Sequence, residues 1–306
     1  MSADERIIGR GASANVSLYS DNTVLKGYVV WLDGRQVSFR EPAKDSIESL
    51  AREREVYERL GSHPNIIGYL GVVEVEPGVD SLQLELASKG DLRAFIRKNQ
   101  PDTFSNQTRL AWLIGIASAL AHIHSRGVFQ CDFSCRNLLL TGDDVVKLCD
   151  FGGSKIDDKK PDLAEEPWYD LPLRGRKFRD TPFMKRELFA FGCAIYEIMA
   201  WKKPFGELSM EEVEKAYARE EFPDTSDLFA ADIIRRCWNE EFESAQEVEV
   251  ALQGLVDQGE EQKKTKSAEW SSVMTTLYSD TIGPEFLPRV ILLAGVVALG
   301  ALWISS

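Results

Sequence analysis

Residues 129–153 read FQCDFSCRNLLLTGDDVVKLCDFGG, from Phe129 to Gly153. Asp132 stands five positions before Asn137, and Asp150-Phe151-Gly152 follows after a stretch of hairpin length. Two carboxylates and an amide on two neighbouring loops can place a nucleophile and hold a divalent metal against a polyphosphate. Any one of these residues alone reads as a loop cap. Together, in this order and at this spacing, they point to phosphoryl chemistry.

N-terminal to this stretch the pattern is that of strands. RIIGRGASANVSLYSDNTVLKGY sets alternating apolar residues about a glycine-rich turn from Gly9 to Val16, and Asp21-Asn22 reads as a hairpin turn. Glycines such as Gly9 and Gly11 let the backbone approach phosphate oxygens and aim its N–H groups at them. Lys26 closes the next β-rich run, and Val29 to Phe39 holds a second hairpin signal around Asp33-Gly34. A helix is expected from Asp45 as N-cap, with Glu48 three residues on. It carries Leu50, Val56, Tyr57 and Leu60 and ends at Gly61. The runs IIGYLGVVEV and SLQLELA are expected to be further strands of the same sheet.

Beyond Gly90 the pattern becomes helical. Expected helices cover residues 91–98, the heavily apolar 106–125, and Met184 to Trp201. Capping-box pairs, Ser209 with Glu212 and Ser244 with Glu247, open two more. A sheet-rich first part and a helix-rich remainder give an α+β fold in two lobes, residues 1–86 and 87–257. Residues 258–285 lack sustained periodicity and read as a linker.

The order of these features resembles the eukaryotic protein kinases, over about Arg6 to Leu255, and implies their two-lobed fold. The turn from Gly9 resembles the kinase GxGxxGxV loop, with Ala14 in place of the third glycine. By this resemblance Lys26 pairs with Glu53 on the following helix to align the ATP phosphates. Glu53 is preferred to Glu55 because it keeps Val56, Tyr57 and Leu60 in register. Asp132 orients the acceptor hydroxyl and takes its proton, while Asn137 and Asp150 hold Mg²⁺. Leu84 takes the gatekeeper position, Glu85 and Ala87 offer backbone groups to adenine, and Asp91 lies near the ribose. Val16, Val24 and Leu139 sandwich the adenine ring. The activity implied is transfer of the γ-phosphate of ATP to a protein substrate. Phe151-Gly152 after the metal aspartate favours this over a small-molecule phosphotransferase.

The departures are equally specific, and they resemble a divergent lineage similar to a fungal kinase-like group. Gln130-Cys131 replace the histidine and arginine before the catalytic aspartate. A buried amide at Gln130 needs hydrogen-bond partners and is expected to weaken an apolar stack. Cys131 removes the arginine that binds a phosphorylated activation loop, so the enzyme is not expected to be switched on by that route. Ser134 stands where serine/threonine kinases carry a lysine, and Arg136 stands as in many tyrosine kinases. The acceptor residue stays open, with serine or threonine preferred. Leu171-Pro172-Leu173 replaces APE, and Cys237-Trp238 lacks its downstream arginine, so both halves of an ion pair are expected to be absent. Glu187 replaces an aspartate and keeps the carboxylate. A pseudokinase that binds nucleotide without transferring phosphate is the alternative reading.

Composition sets the outer limits. The 306 residues are 44% hydrophobic, enough for one large core or two medium ones, and 28% charged. A net charge of -13 argues against nucleic acid as the main partner. Cys131, Cys135, Cys149, Cys193 and Cys237 form no CxxC pair, which favours a reducing, cytoplasmic compartment. No apolar leader opens the sequence. Val290 to Ile304 is uncharged and apolar, about 22 Å as a helix, and reaching back to Phe286 gives about the usual span of ~20 residues. With Lys263, Lys264, Lys266 and Arg289 before it, residues 286–304 read either as a membrane anchor or as a docked helix.

Overall fold

A computed structural model describes residues 7–281, apart from 11–13, 33–34, 40–43, 160 and 162–164. The first half is built on strands β1 (Ile7–Arg10), β2 (Asn15–Ser20) and β3 (Thr23–Gly27). A separate hairpin of β4 (Val29–Leu32) and β5 (Arg35–Phe39) follows, then helix α1 (Lys44–Leu60). Strands β6 (Tyr69–Glu76) and β7 (Val79–Glu85) complete an antiparallel sheet in the order β1-β2-β3-β7-β6. Its register sets Val16 opposite Lys26 and Val24 opposite Leu84. Because side chains alternate along a strand, this places Val16, Val24, Lys26 and Leu84 on one face.

Helix α1 already includes Lys44, so Asp45 lies in its first turn and not at the N-cap. Its buried residues Leu50, Glu53, Val56, Tyr57 and Leu60 recur at helical spacing and define one inward stripe. That stripe carries a carboxylate, Glu53, into the interior.

The second half is mainly helical, as the expected two-lobed α+β kinase architecture requires. It holds α2 (Leu92–Lys98), α3 (Asn106–Ser125), four short strands, and helices α4 (Phe183–Ala200), α5 (Met210–Ala218) and α6 (Ala231–Trp238). Ser105 caps α3, accepting from the Thr108 N–H. Ser209 and Glu212 close a full capping box on α5. Every residue of α4 from Arg186 to Met199 is buried, so α4 is the axis of this half. The stretch from Phe129 to Gly153 meets that axis where Phe133 packs edge-on against Phe191. It starts on β8 (Val128–Phe129) and contains the hairpin of β9 (Leu138–Leu140) and β10 (Val146–Leu148). Strand β11 (Lys155–Ile156) returns to pair with β8. All five cysteines are free.

The last helix, α7 (Ala245–Thr281), begins with Ser244 accepting from the Glu247 N–H at 3.2 Å. The Glu247 carboxylate reaches the Glu243 N–H and not that of Ser244, so the expected box is displaced by one residue. The chain divides into two compact units, 1–253 and 254–306, with the boundary inside α7. The stretch read as a linker is helical as far as Thr281. Gln, Glu, Lys and Ala dominate its first half, and good intrinsic helix formers need no apolar stripe to adopt a helix. No helix among the described residues is long and apolar enough to cross a membrane, and residues 286–304 lie outside them.

Candidate active site

A cleft of about 690 Å³ lies between the sheet and the helical half, within the first unit. Val16, Val24, Leu84 and Leu139 contribute apolar wall, and Gly9, Glu85, Ala87 and Asp91 also line it. Gly11 lies outside the described residues. Asp91 has a second task, because its Oδ1 accepts from the Ala94 N–H and caps α2. The Glu85 side chain turns to Lys147, at 2.7 Å from both carboxylate oxygens, and also accepts from the Gly68 N–H.

The floor of the cleft carries a three-charge cluster. Lys26 Nζ lies 2.7 Å from Glu53 and 2.8 Å from Asp150. Glu55, the rival on α1, pairs instead with Lys159. Burial works against the Lys26 charge, but Glu53 and Asp150 more than reverse it and hold the ammonium above its usual pKa. Burial would raise the Asp150 carboxyl, yet Lys26 outweighs it and the carboxyl sits below its usual range. Asp150 is therefore ionised, and its side chain is 48% exposed toward the cleft.

Asp132 lines the same cleft, with one carboxylate oxygen 3.0 Å from Asn137 Nδ2 and the other 3.4 Å from Arg136. Asn137 Nδ2 also donates to the Asp132 carbonyl at 2.7 Å. Burial pushes the Asp132 carboxyl above its ordinary value, against the pull of Arg136 and Asn137. With its Nδ2 committed to Asp132, Asn137 keeps its amide oxygen for another partner. That oxygen and the Asp150 carboxylate form a hard-oxygen donor pair suited to Mg²⁺. No cluster of three His, Cys, Asp or Glu side chains able to hold a metal occurs among the described residues. A metal here would complete its shell with water and phosphate oxygens.

This geometry agrees with comparisons to known proteins. A family model described as the protein kinase domain matches residues 2–278. The chain belongs to the protein kinase domain family. It is 28% identical over 189 residues to the Serine/threonine/tyrosine-protein kinase HT1 of Arabidopsis thaliana, covering 58% of this chain and 47% of that protein. It is 24% identical over 210 residues to the Serine/threonine-protein kinase Nek4 of Mus musculus, covering 67% and 26%. To the Mitogen-activated protein kinase kinase kinase 1b of Physcomitrium patens it is 29% identical over 213 residues, covering 66% and 27%. This chain thus spans less than half the length of each of these relatives.

In this kinase domain the departures from the family pattern acquire structural partners. Gln130 is fully buried, and its amide is satisfied. Nε2 donates to the carbonyls of Cys149 at 3.3 Å and Asp150 at 3.1 Å, while Oε1 accepts from the Asp132 N–H at 3.0 Å. The expected weakening is thus offset by a bridge between the two functional loops. An aromatic stack still stands beside it, with Phe151 edge-on to Tyr57 and Tyr57 stacked on Tyr69. Glu187 accepts from the N–H groups of Gln130 and Cys131 and contacts His124, fastening the loop to α4. Ser134 is buried and accepts from the Arg136 N–H.

The APE segment has an ion pair of another kind, which the sequence reading did not foresee. Arg174 and Arg176 both reach Glu240, at 2.5 Å and 2.6 Å, and Arg174 also reaches Glu220. The two chain segments are joined by charge after all, with the polarity reversed. Sequence reading also missed Arg93, Glu166 and Glu197. Arg93 is buried and binds Glu197 with two 2.9 Å hydrogen bonds, and its guanidinium lies 2.5 Å from Glu166. Partners separated by up to 104 residues leave no local signal in the sequence. Cys149 lines the cleft, and burial and the neighbouring Asp150 keep its thiol well above its usual pKa.

Proposed function

We propose that this chain is an active protein kinase that transfers the γ-phosphate of Mg-ATP to a protein hydroxyl, serine or threonine in preference to tyrosine. The single observation that carries this reading is Lys26 held between Glu53 and the ionised Asp150, opening onto the same cleft as Asp132 and Asn137. The cleft is large enough for a nucleotide. When bound, ATP supplies the phosphoryl group, and Mg²⁺ held by Asn137 and Asp150 neutralises the charge that develops on it.

The residues divide the work between them. Lys26 presents a fixed positive charge to the phosphates, and Glu53 keeps it in place. Asp132 faces the acceptor and takes the hydroxyl proton as the acceptor oxygen bonds to the γ-phosphorus and the bond to the leaving diphosphate breaks. Its raised pKa makes it a better proton acceptor than an ordinary aspartate. The preference for serine or threonine rests on the names of the relatives: Nek4 is a serine/threonine-protein kinase by name, and HT1 a serine/threonine/tyrosine-protein kinase.

The test is phosphotransfer by purified protein, with Asp132→Asn and Asp150→Asn as controls. Transfer well above both controls is expected. Nucleotide binding without transfer above them would replace this reading with that of a pseudokinase.

We also infer that residues 286–304 attach the kinase domain to a membrane from the cytosolic side. The uncharged run from Val290 to Ile304, with Lys263, Lys264, Lys266 and Arg289 before it, supports this. Association that resists carbonate extraction is expected. A monodisperse full-length protein in the absence of detergent would count against it.

A further inference from the structure

Glu166, just before Pro167, lines the active-site cleft. Its carboxylate lies 2.5 Å from the Arg93 guanidinium on one side and 3.5 Å from Arg136 on the other. Arg136 in turn lies 3.4 Å from Asp132. Arg93 is fixed independently of Glu166. Its two hydrogen bonds to Glu197 anchor it to α4, Tyr169 donates to the same Glu197 at 2.6 Å, and its own N–H donates to the Cys135 carbonyl. The result is one row of alternating charge: Glu197, Arg93, Glu166, Arg136, Asp132. It starts on the buried axis of the domain and ends on the carboxylate that faces the acceptor.

We propose that Glu166 is a positioning residue for Asp132, and that this unmodified carboxylate holds residues 165–171 in place where an added phosphate would otherwise do so. Three observations carry it. Cys131, beside Asp132, is a buried neutral thiol, so it offers no cation to a phosphate. Two arginines that reach the segment next to Asp132 are taken by Glu166. A carboxylate between two guanidinium groups forms the charge-assisted contacts that a phosphate would form, and needs no kinase to install it. Removing Glu166 leaves Arg93 with Glu197 as its carboxylate partner and frees Arg136, whose side chain is 50% exposed, to change its position against Asp132.

The inference rests on the kinase reading, and the experiment separates the two. The full-length protein is compared with Glu166→Gln, using Mg-ATP and a serine/threonine peptide library as acceptor. The expected result is a fall in kcat of at least tenfold with KM for ATP little changed. Phosphatase treatment of the wild type should leave kcat unchanged. A wild type that transfers no phosphate would defeat the kinase reading alone. In that case hydrogen exchange still tests the inference, because Glu166→Gln should speed exchange at residues 165–171 and 130–137 whether or not transfer occurs. Unchanged protection in both stretches would overturn it. So would loss of activity on phosphatase treatment, or a loss that appears in KM for ATP and not in kcat.

Discussion

Gln130 offers a sharp test of how this domain holds its two functional loops together. Its fully buried side chain makes three hydrogen bonds, two to carbonyls beside and at Asp150 and one from the Asp132 N–H. Gln130→Leu keeps a similar volume and removes all three. At a net ~1 kcal/mol each, the loss is about 3 kcal/mol, and the stranded N–H and carbonyls keep it from being smaller. For a domain of this size that lowers Tm by about 6–12 °C. Gln130→His restores the family residue and keeps one ring N–H as a donor to a carbonyl, but the Asp132 N–H loses its acceptor. It should fall between the two, about 1–2 kcal/mol below wild type. The assay is urea unfolding at constant slope, read as the shift in midpoint. A Gln130→Leu variant within about 0.5 kcal/mol of wild type would refute the reasoning, because three buried hydrogen bonds cannot then be what joins the loops.

Three further outcomes are expected. Glu240→Gln removes the negative charge shared by Arg174 and Arg176 and should cost about 1–2 kcal/mol in denaturant unfolding, since the site is partly buried. Glu165→Gln tests the pH dependence of folding. Burial, against the attraction of Arg186, lifts the Glu165 carboxyl from 4.5 to about 7, so the folded state binds the extra proton. Its contribution to stability is therefore present below about pH 4.5 and is lost as pH rises to about 7, and the unfolding midpoint of Glu165→Gln should lack that decline. Cys149 should react slowly with iodoacetamide at neutral pH despite lining the cleft, with the rate still rising well above pH 9. Rapid neutral alkylation that ATP blocks would show that the thiol is not held protonated.

What the sequence determined about this protein lies where the relevant information is local. Asp132 and Asn137 share one loop, and Asn137 reaches back five positions to the aspartate, so their spacing already encodes their contact. Strand alternation puts Val24 and Lys26 on one face, because the pleat has a period of two, while Val16 joins them only through the register of β2 on β3. Helical periodicity separated Glu53 from Glu55, since only one of them shares the stripe of Leu50, Val56, Tyr57 and Leu60. The apolar character of residues 106–125 and 184–201 likewise marked the core helices α3 and α4.

Only the tertiary structure decided which distant charges meet. The glutamates at 165 and 166 drew no reading from the sequence, yet one pairs with buried Arg186 and the other stands between Arg93 and Arg136. The missing APE glutamate reads as a lost ion pair, yet Arg174 and Arg176 rebuild the link with opposite sign because Glu240 comes within reach. Gln130 reads as a flaw in an apolar stack, and it becomes a bridge because the carbonyls of Cys149 and Asp150 fold back onto it. The physical reason is the same in each case. Local spacing sets which face a side chain occupies, whereas the strength of a buried charge or amide depends on partners that only the packed chain brings within about 3 Å.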